Sequence, residues 1–345
     1  MGSATLPVFY APAQKAHAPE TFVVAGRSRP IPEVPARVDE LLTAIERLGL
    51  ALQTPDDHGL APLAAVHTPE YIDFLQTIHA DWQALGGSEQ VVPHIHPLAR
   101  DGVYPGTPVG RAGYHQADTS CPIVGATWDA ARTSAHAAVS AAEAVVGGAG
   151  EAYALCRPPG HHAFTDVAGG FCYLNNSAIA AERLRRGHDR VAVLDIDLHH
   201  GNGTQGIFYH RADVLTASVH VDPDVFYPFF WGFAAERGKA AGLGYNLNRP
   251  LPLGAGDEVF LQALDELLAR IAAFAPDALV LALGLDASVD DPFGGLAVTP
   301  DGFARIGERI GALDLPVALI QEGGYVSATL GENLFRFMSG FLGVR

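Results

Sequence analysis

Cysteine is scarce in this sequence. Its 345 residues hold three, Cys121, Cys156 and Cys172, with no C-x-x-C pair among them. An odd count without paired spacing excludes a disulfide framework and points to a reducing compartment, the cytoplasm. Cys156 and Cys172 sit in apolar contexts and read as core. Positive charge is also short: 22 Lys and Arg stand against 38 Asp and Glu, a net charge of −16. That balance argues against nucleic acid and anionic membrane as partners, and its long-range field favours cationic ones. No apolar run approaches the length of a membrane span, and no basic stretch followed by an apolar one opens the chain. Internal repeats, long charge runs and low-complexity linkers are missing too, which argues for one domain over residues 1–345. Periodicity is missing from Gly86 to about Pro122, where Pro93, Pro97, Pro105 and Pro108 fall among glycines. Such a stretch inside a compact domain reads as a rim or interface loop, and His94 and His96 within it as an exposed pair.

What is present is an alternation of apolar strands and amphipathic helices. Leu6–Tyr10, Leu63–Val66, Ala152–Cys156, Val191–Asp197, Val214–Val219, Ala278–Leu283 and Val317–Gln321 read as strands. Val38–Leu50, Tyr71–Ala84, Thr127–Val146, Asn175–Arg185, Leu261–Ala275, Pro300–Leu313 and Ser327–Leu342 read as helices. Apolar strands separated by helices imply an α/β fold with a parallel sheet covered on both faces. Ligands of such sheets bind at the carboxyl ends of the strands. Five strands here end in chemically capable residues: Arg157–His162, Asp195–His200, Ser218 and His220, Gly284–Asp286, and Gln321–Tyr325.

The densest of these ends is V-A-V-L-D-I-D-L-H-H-G-N-G, Val191–Gly203. Asp195, Asp197 and His199 fall at i, i+2 and i+4, and therefore on one face of an extended chain. Two carboxylates and an imidazole at the end of an apolar strand are costly to bury without a cation. The mixed oxygen and nitrogen set suits Zn²⁺ or a neighbouring first-row metal better than Ca²⁺ or Mg²⁺.

Taken together, R-P-P-G-H-H, G-G-F-C-Y-L-N-N, D-I-D-L-H-H-G-N-G-T-Q, L-G-L-D and E-G-G-Y resemble the histone deacetylase and acetylpolyamine amidohydrolase family of the arginase/deacetylase fold. The N-terminal third and the insertion resemble its bacterial acetylpolyamine branch. The resemblance implies an eight-stranded, mostly parallel sheet and one Zn²⁺ per chain, with Fe²⁺ possible, on Asp197, His199 and Asp286. It implies His161 and His162 as a catalytic pair: one takes a proton from water and one guides or protonates the leaving amine. Asp195 would set the tautomer of His161 as base, and Asn202 would stand behind His162 where some relatives have aspartate. Tyr325 would donate to the developing oxyanion. Gly170, Phe171, Tyr227 and Gly324 would contact substrate. A structural K⁺ would sit on Asp195, Ser218, Val219 and the carbonyls of Asp197 and His199. A second would sit on backbone at Phe208, Arg211, Val214 and Tyr245.

The expected activity is hydrolysis of an N-acylated amine, acetylpolyamine-like or acetyl-lysine-like, by a homodimer whose 86–122 loop is the interface. Polyamine selectivity calls for carboxylates at the channel mouth. Val103–His115 holds none and carries Arg111, and Glu20 is the one acid before residue 33. A neutral or apolar N-alkyl amide is therefore an alternative substrate. A dinuclear manganese ureohydrolase of the same fold, a noncatalytic acylamine-binding module and a deacetylase of protein acetyl-lysine are further readings. The first would leave the tandem histidines and Tyr325 without a role.

Overall fold

The structure is a computed structural model that describes residues 6–343. The outermost residues of the expected 1–345 domain lie outside the described ones. Its strands, in chain order, are β1 (Val8–Phe9), β2 (Thr21–Val24), β3 (Arg27–Pro30), β4 (Leu52–Gln53), β5 (Glu151–Ala154), β6 (Val191–Asp195), β7 (Val214–Val221), β8 (Asn246–Leu251), β9 (Ala278–Leu283) and β10 (Val317–Gln321). Eight of them form one sheet in the order β4-β1-β5-β10-β9-β6-β7-β8. Every neighbouring pair in it runs parallel. The expected α/β architecture is thus present, and β2 and β3 stand apart as an antiparallel hairpin.

The helices are α1 (Ala36–Arg47), α2 (Ala61–Ala64), α3 (Pro69–Ala84), α4 (Pro108–His115), α5 (Thr127–Val146), α6 (Asn176–Leu184), α7 (Asn202–Phe208), α8 (Asp257–Phe274), α9 (Pro300–Gly311) and α10 (Leu330–Gly343). Their starts follow local chemistry. Thr68, Thr107 and Thr299 each accept a backbone N–H with their side chain, and each precedes a proline whose missing N–H costs nothing there.

Strand alternation divides the interior. Val191 and Val193 of β6 face a core shared with α3, α5 and α6. Ala192 and Leu194 face the core beneath α1, α8, α9 and α10. With both faces covered, only the strand ends are free to carry polar groups.

Several expectations need correction. Leu63–Val66 is not a strand: Leu63 belongs to α2, because Pro62 at its start favours helix over a four-residue apolar run. The 86–122 stretch is not wholly irregular, since α4 lies in it. Strand β8 runs through Asn246, Asn248 and Pro250, residues without an apolar signature, which an edge position tolerates. His94 and His96 are exposed as expected. Cys121, Cys156 and Cys172 are free and buried.

Candidate active site

The carboxyl ends of β6, β9 and β10 lie side by side in register, with Leu194 opposite Leu281 and Gln321 opposite Leu283. Each therefore delivers its polar sequel to the same place. Asp197 and His199 follow β6, Asp286 follows β9, and the three offer ligand atoms all within 4.8 Å of one another. His199 Nδ1 lies 3.3 Å from Asp197 Oδ1 and 3.1 Å from Asp286 Oδ2. Backbone amides fix the carboxylates: His199 N donates to Asp197 Oδ1, Gly323 N to Asp197 Oδ2 and Leu198 N to Asp286 Oδ1. Gly323 is required there. A Cβ on it would fall 2.4 Å from Asp286 Oδ2 and 2.5 Å from Asp197 Oδ2.

The electrostatics of this floor are unbalanced. Asp195, Asp197, Asp286, Asp291 and Glu322 are all buried in it. Burial, joined by the Asp197 charge, pushes the Asp286 carboxyl above its usual range. Burial and Asp286 together push Asp291 up to about 8. Burial also works on Asp197, but the imidazoles of His161 and His199 outweigh it and hold that carboxyl low. No lysine or arginine pairs with Asp197, Asp286 or Asp291 among the described residues. A buried O,O,N set with no lysine or arginine partner fits a divalent transition metal.

Around the floor stand the remaining expected groups. His161 Nδ1–H points to Asp195 Oδ2 at 3.0 Å, and His162 Nδ1–H to Asn202 Oδ1 at 2.7 Å. The partners differ in charge, and the rings differ accordingly. Burial opposes protonation of His161, but Asp197 and Asp195 outweigh it and raise its pKa well above the ordinary value. Burial, then the neighbouring His161 and His199, push His162 well below. Asn202 leaves His162 Nε2 with its lone pair free. The two rings are 4.0 Å apart, centre to centre.

A cavity of about 250 Å³ opens above, lined by His162, His199 and Tyr325 at its foot and by Phe171, Phe226 and Phe293 along its wall. Gly170 and Tyr227 line it too, whereas Gly324 does not. Gly170 has φ +50°, and a Cβ on it would strike His162 Cδ2 at 2.4 Å. Phe171 holds φ +67°, an uncommon conformation for a bulky residue, with its N–H bound to Ser120 O at 3.0 Å. Tyr325 packs on Phe293 with ring centres 4.8 Å apart, and its N–H donates to Asp291 Oδ2 at 3.0 Å.

The expected K⁺ positions fall as follows. Asp195 and Ser218 are cross-strand partners and line a small polar cavity beside β6, which Val219 does not. Ser218 Oγ is 2.7 Å from His220 Nδ1. Of the second set, Phe208 O already accepts from Arg211 N, and Tyr245 O from Thr216 N. The Arg211 side chain pairs with Asp213 and Glu182.

Three groups were not singled out from the sequence. Glu322 Oε2 accepts from Gly160 N at 2.6 Å and His161 N at 3.1 Å, and its Oε1 from Ser177 Oγ at 2.7 Å, fixing the turn that carries both histidines. Asp118 Oδ2 accepts from Tyr227 OH at 2.8 Å and so orients a cavity wall. The Arg37 guanidinium, paired with Glu33, donates to the carbonyls of Glu322 and Gly324 and lies 4.9 Å over the Tyr325 ring. Glu322 stands inside E-G-G-Y and was visible as an acid. Its role depends on amides from a distant turn.

Comparison with known proteins agrees with this geometry. The model of the histone deacetylase domain matches residues 31–340. An acetylpolyamine amidohydrolase of Burkholderia pseudomallei is 49% identical over 98% of this chain and 99% of its own length. Acetylpolyamine amidohydrolase 1 of Pseudomonas aeruginosa is 44% identical over 97% and 98%. A crystal structure of the Burkholderia pseudomallei acetylpolyamine aminohydrolase superposes with a TM-score of 0.96 at 48% identity, covering 99% of this chain and 100% of that one. The chain therefore belongs to the histone deacetylase family of amide hydrolases.

Proposed function

We propose that the protein hydrolyses the amide of a small N-acylated amine to a carboxylate and a free amine. The observation that carries this reading is the Asp197–His199–Asp286 cluster at the foot of an apolar cavity that His162 and Tyr325 also line. Asp197, His199 and Asp286 would hold one Zn²⁺, with Fe²⁺ the alternative. When bound, the metal supplies a Lewis acid at the floor. Structural K⁺ at Asp195 and Ser218 rests on the family resemblance.

The side chains supply the rest. His162, neutral and facing the cavity, takes a proton from the attacking water and returns it to the amine nitrogen. His161 stands beside it, its ring held by Asp195. This exchanges the role expected for His161 as base, because His162 is the ring that lines the cavity. Tyr325 keeps its hydroxyl proton, since burial raises its pKa well above the ordinary value. It donates that proton in a hydrogen bond to the carbonyl oxygen as negative charge develops. The aromatic wall grips a methylene chain and excludes water.

The relatives' names support an acetylated polyamine as substrate. The cavity itself has no carboxylate in its lining, which supports a neutral N-alkyl amide as the second reading. Residues 86–122 expose Ile95, Leu98 and Val103, an apolar edge that suits a homodimer contact. Three free cysteines suit a reducing cytoplasm, and no helix among the described residues is long and apolar enough to cross a membrane. The test is a turnover panel on zinc-loaded protein: acetylpolyamines, acetyl-lysine peptides and N-alkyl acetamides, with metal content measured alongside. One equivalent of metal and turnover lost in Tyr325→Phe are expected. Two manganese ions, or turnover of none of the amides, would overturn the reading.

A further inference from the structure

The cavity mouth is bounded on one side by the β2–β3 hairpin, whose Phe22 and Val24 line it. The hairpin is pinned to the body of the protein. Gln90 Oε1 accepts from Thr21 N at 3.3 Å, and its Nε2 donates to Thr21 O at 3.2 Å. Thr119 Oγ1 donates to Val23 O at 2.7 Å, and Ile31 N to Glu20 O at 3.0 Å. Phe22 packs edge-on against Phe171 with ring centres 5.7 Å apart. The strand beside the mouth is therefore fixed in place.

Register decides what else faces the mouth. Phe22 pairs with Arg29 and Val24 with Arg27. Directly opposed residues of an antiparallel pair project from the same face. Arg29 and Arg27 thus extend from the face that bounds the cavity, one beside each lining residue. Both are exposed. Neither guanidinium has an ion-pair or side-chain hydrogen-bond partner among the described residues. That is conspicuous in a chain with 38 acids and 22 basic residues, where most arginines find a carboxylate. Apart from Ser120, Gly170 and the two histidines at the foot, the cavity lining is aromatic and aliphatic. Asp118 is half-buried and occupied by Tyr227 OH and Ser120 N, and Glu20, at the start of the hairpin, lines a separate cavity with His79 and Gln90. Asp222 and Asp224 precede Val225 in the chain, and Asp222 Oδ1 accepts from Asp224 N.

We propose that Arg27 and Arg29 form a cationic rim on the channel mouth, and that the preferred substrate is an N-acylated amine whose far end carries a carboxylate rather than an ammonium group. Guanidinium matches a carboxylate in charge and in fork geometry, and it repels an ammonium. The net charge of −16 acts in the opposite sense, but only as a long-range field. At physiological salt that field is screened beyond about 8 Å, so the local pair governs a group held at the mouth. The inference rests on the amide-hydrolase reading and names a substrate class for the same site, with an anionic end in place of the acetylated polyamine that the relatives' names support.

Three amides of one length test it on zinc-loaded protein: 6-acetamidohexanoate, N-hexylacetamide and N-acetylcadaverine, with anionic, neutral and cationic ends. Relative to the neutral amide, kcat/KM is expected to rise for the anion and fall for the cation. The anion-to-cation ratio should be roughly tenfold or more at low salt. It should shrink with added salt and invert in Arg27→Glu/Arg29→Glu, through KM rather than kcat. N-acetylcadaverine ahead of 6-acetamidohexanoate in the wild type, or a ratio unchanged in the double variant, would overturn the rim. Hydrolysis of none of the three would overturn the reaction class, and the proposal with it.

Discussion

At single residues, what separates the two histidines is one oxygen or nitrogen on the partner. His161 faces a carboxylate, and His162 faces the amide oxygen of Asn202 2.7 Å away. Asn202→Asp would set a negative charge against His162 Nδ1 and raise its pKa. The base form would then be lost at higher pH, so the acid limb of the kcat/KM profile should move upward by about one unit. A limb that stays put would mean His162 is not the titrating base. Tyr325→Phe removes the donor while keeping the ring packed on Phe293, and kcat should fall about 10²- to 10³-fold with little change in stability. These identities were legible in the sequence because chemistry names its residue types. Asp197, His199, Asp286, His162 and Tyr325 all follow apolar strands, and the sheet gathers them. Glu322, Asp118 and Arg37 were not legible. Glu322 and Arg37 act through backbone amides and carbonyls of distant segments, Asp118 orients Tyr227 from a part of the chain 109 residues away, and no local spacing records such contacts.

Elements explain why the site is rigid. Strands β6, β9 and β10 are entirely buried, and their register holds the three candidate metal-ligating side chains together. The weak point is the turn after β10, where Gly323 lets its N–H reach Asp197 Oδ2 at 2.8 Å. Gly323→Ala would drive a methyl into both carboxylates. The expected outcome is protein that keeps its far-UV circular dichroism but loses most of its bound zinc, read by metal analysis after gel filtration. Full metal content in that variant would show that the turn can yield. The same elements show where sequence patterns stop. The buried strands were readable because a parallel sheet covered on both faces demands unbroken apolar runs. Strand β8, with Asn246, Asn248 and Pro250, obeys no such demand at the sheet edge. The β2–β3 hairpin, which sets the mouth, is four residues a side with Arg-Ser-Arg-Pro in one strand. Its meaning appears only once Phe22 is seen against the cavity.

For the whole molecule, the balance of buried titratable groups makes stability depend on pH in two opposing ways. Burial depresses His17, His67 and His220, each to about 4. These rings stay neutral in the folded protein while the unfolded chain takes up protons below about 6.5. Their contribution is complete above pH 6.5 and is lost as pH falls toward 4. Glu322, raised by burial to about 7, works in the other direction, since the folded state holds its proton longer than the unfolded one. The slope for the intact chain therefore mixes signs, and one histidine must be isolated. His67 is suited to this. Its Nε2 accepts from Asn175 N at 2.9 Å and its Nδ1–H points to Thr165 O at 3.3 Å, far from the metal cluster in the chain and built as a neutral ring. His67→Gln should cost about 1–3 kcal/mol at pH 7, where two buried hydrogen bonds are weakened. Below pH 6.5 the wild type goes on losing stability at this site and the variant does not. The gap between them should close by about 1.2 kcal/mol between pH 6 and 5, measured by urea unfolding. A constant gap across that range would show that His67 is protonated in the folded state, and that its burial is not what sets its charge.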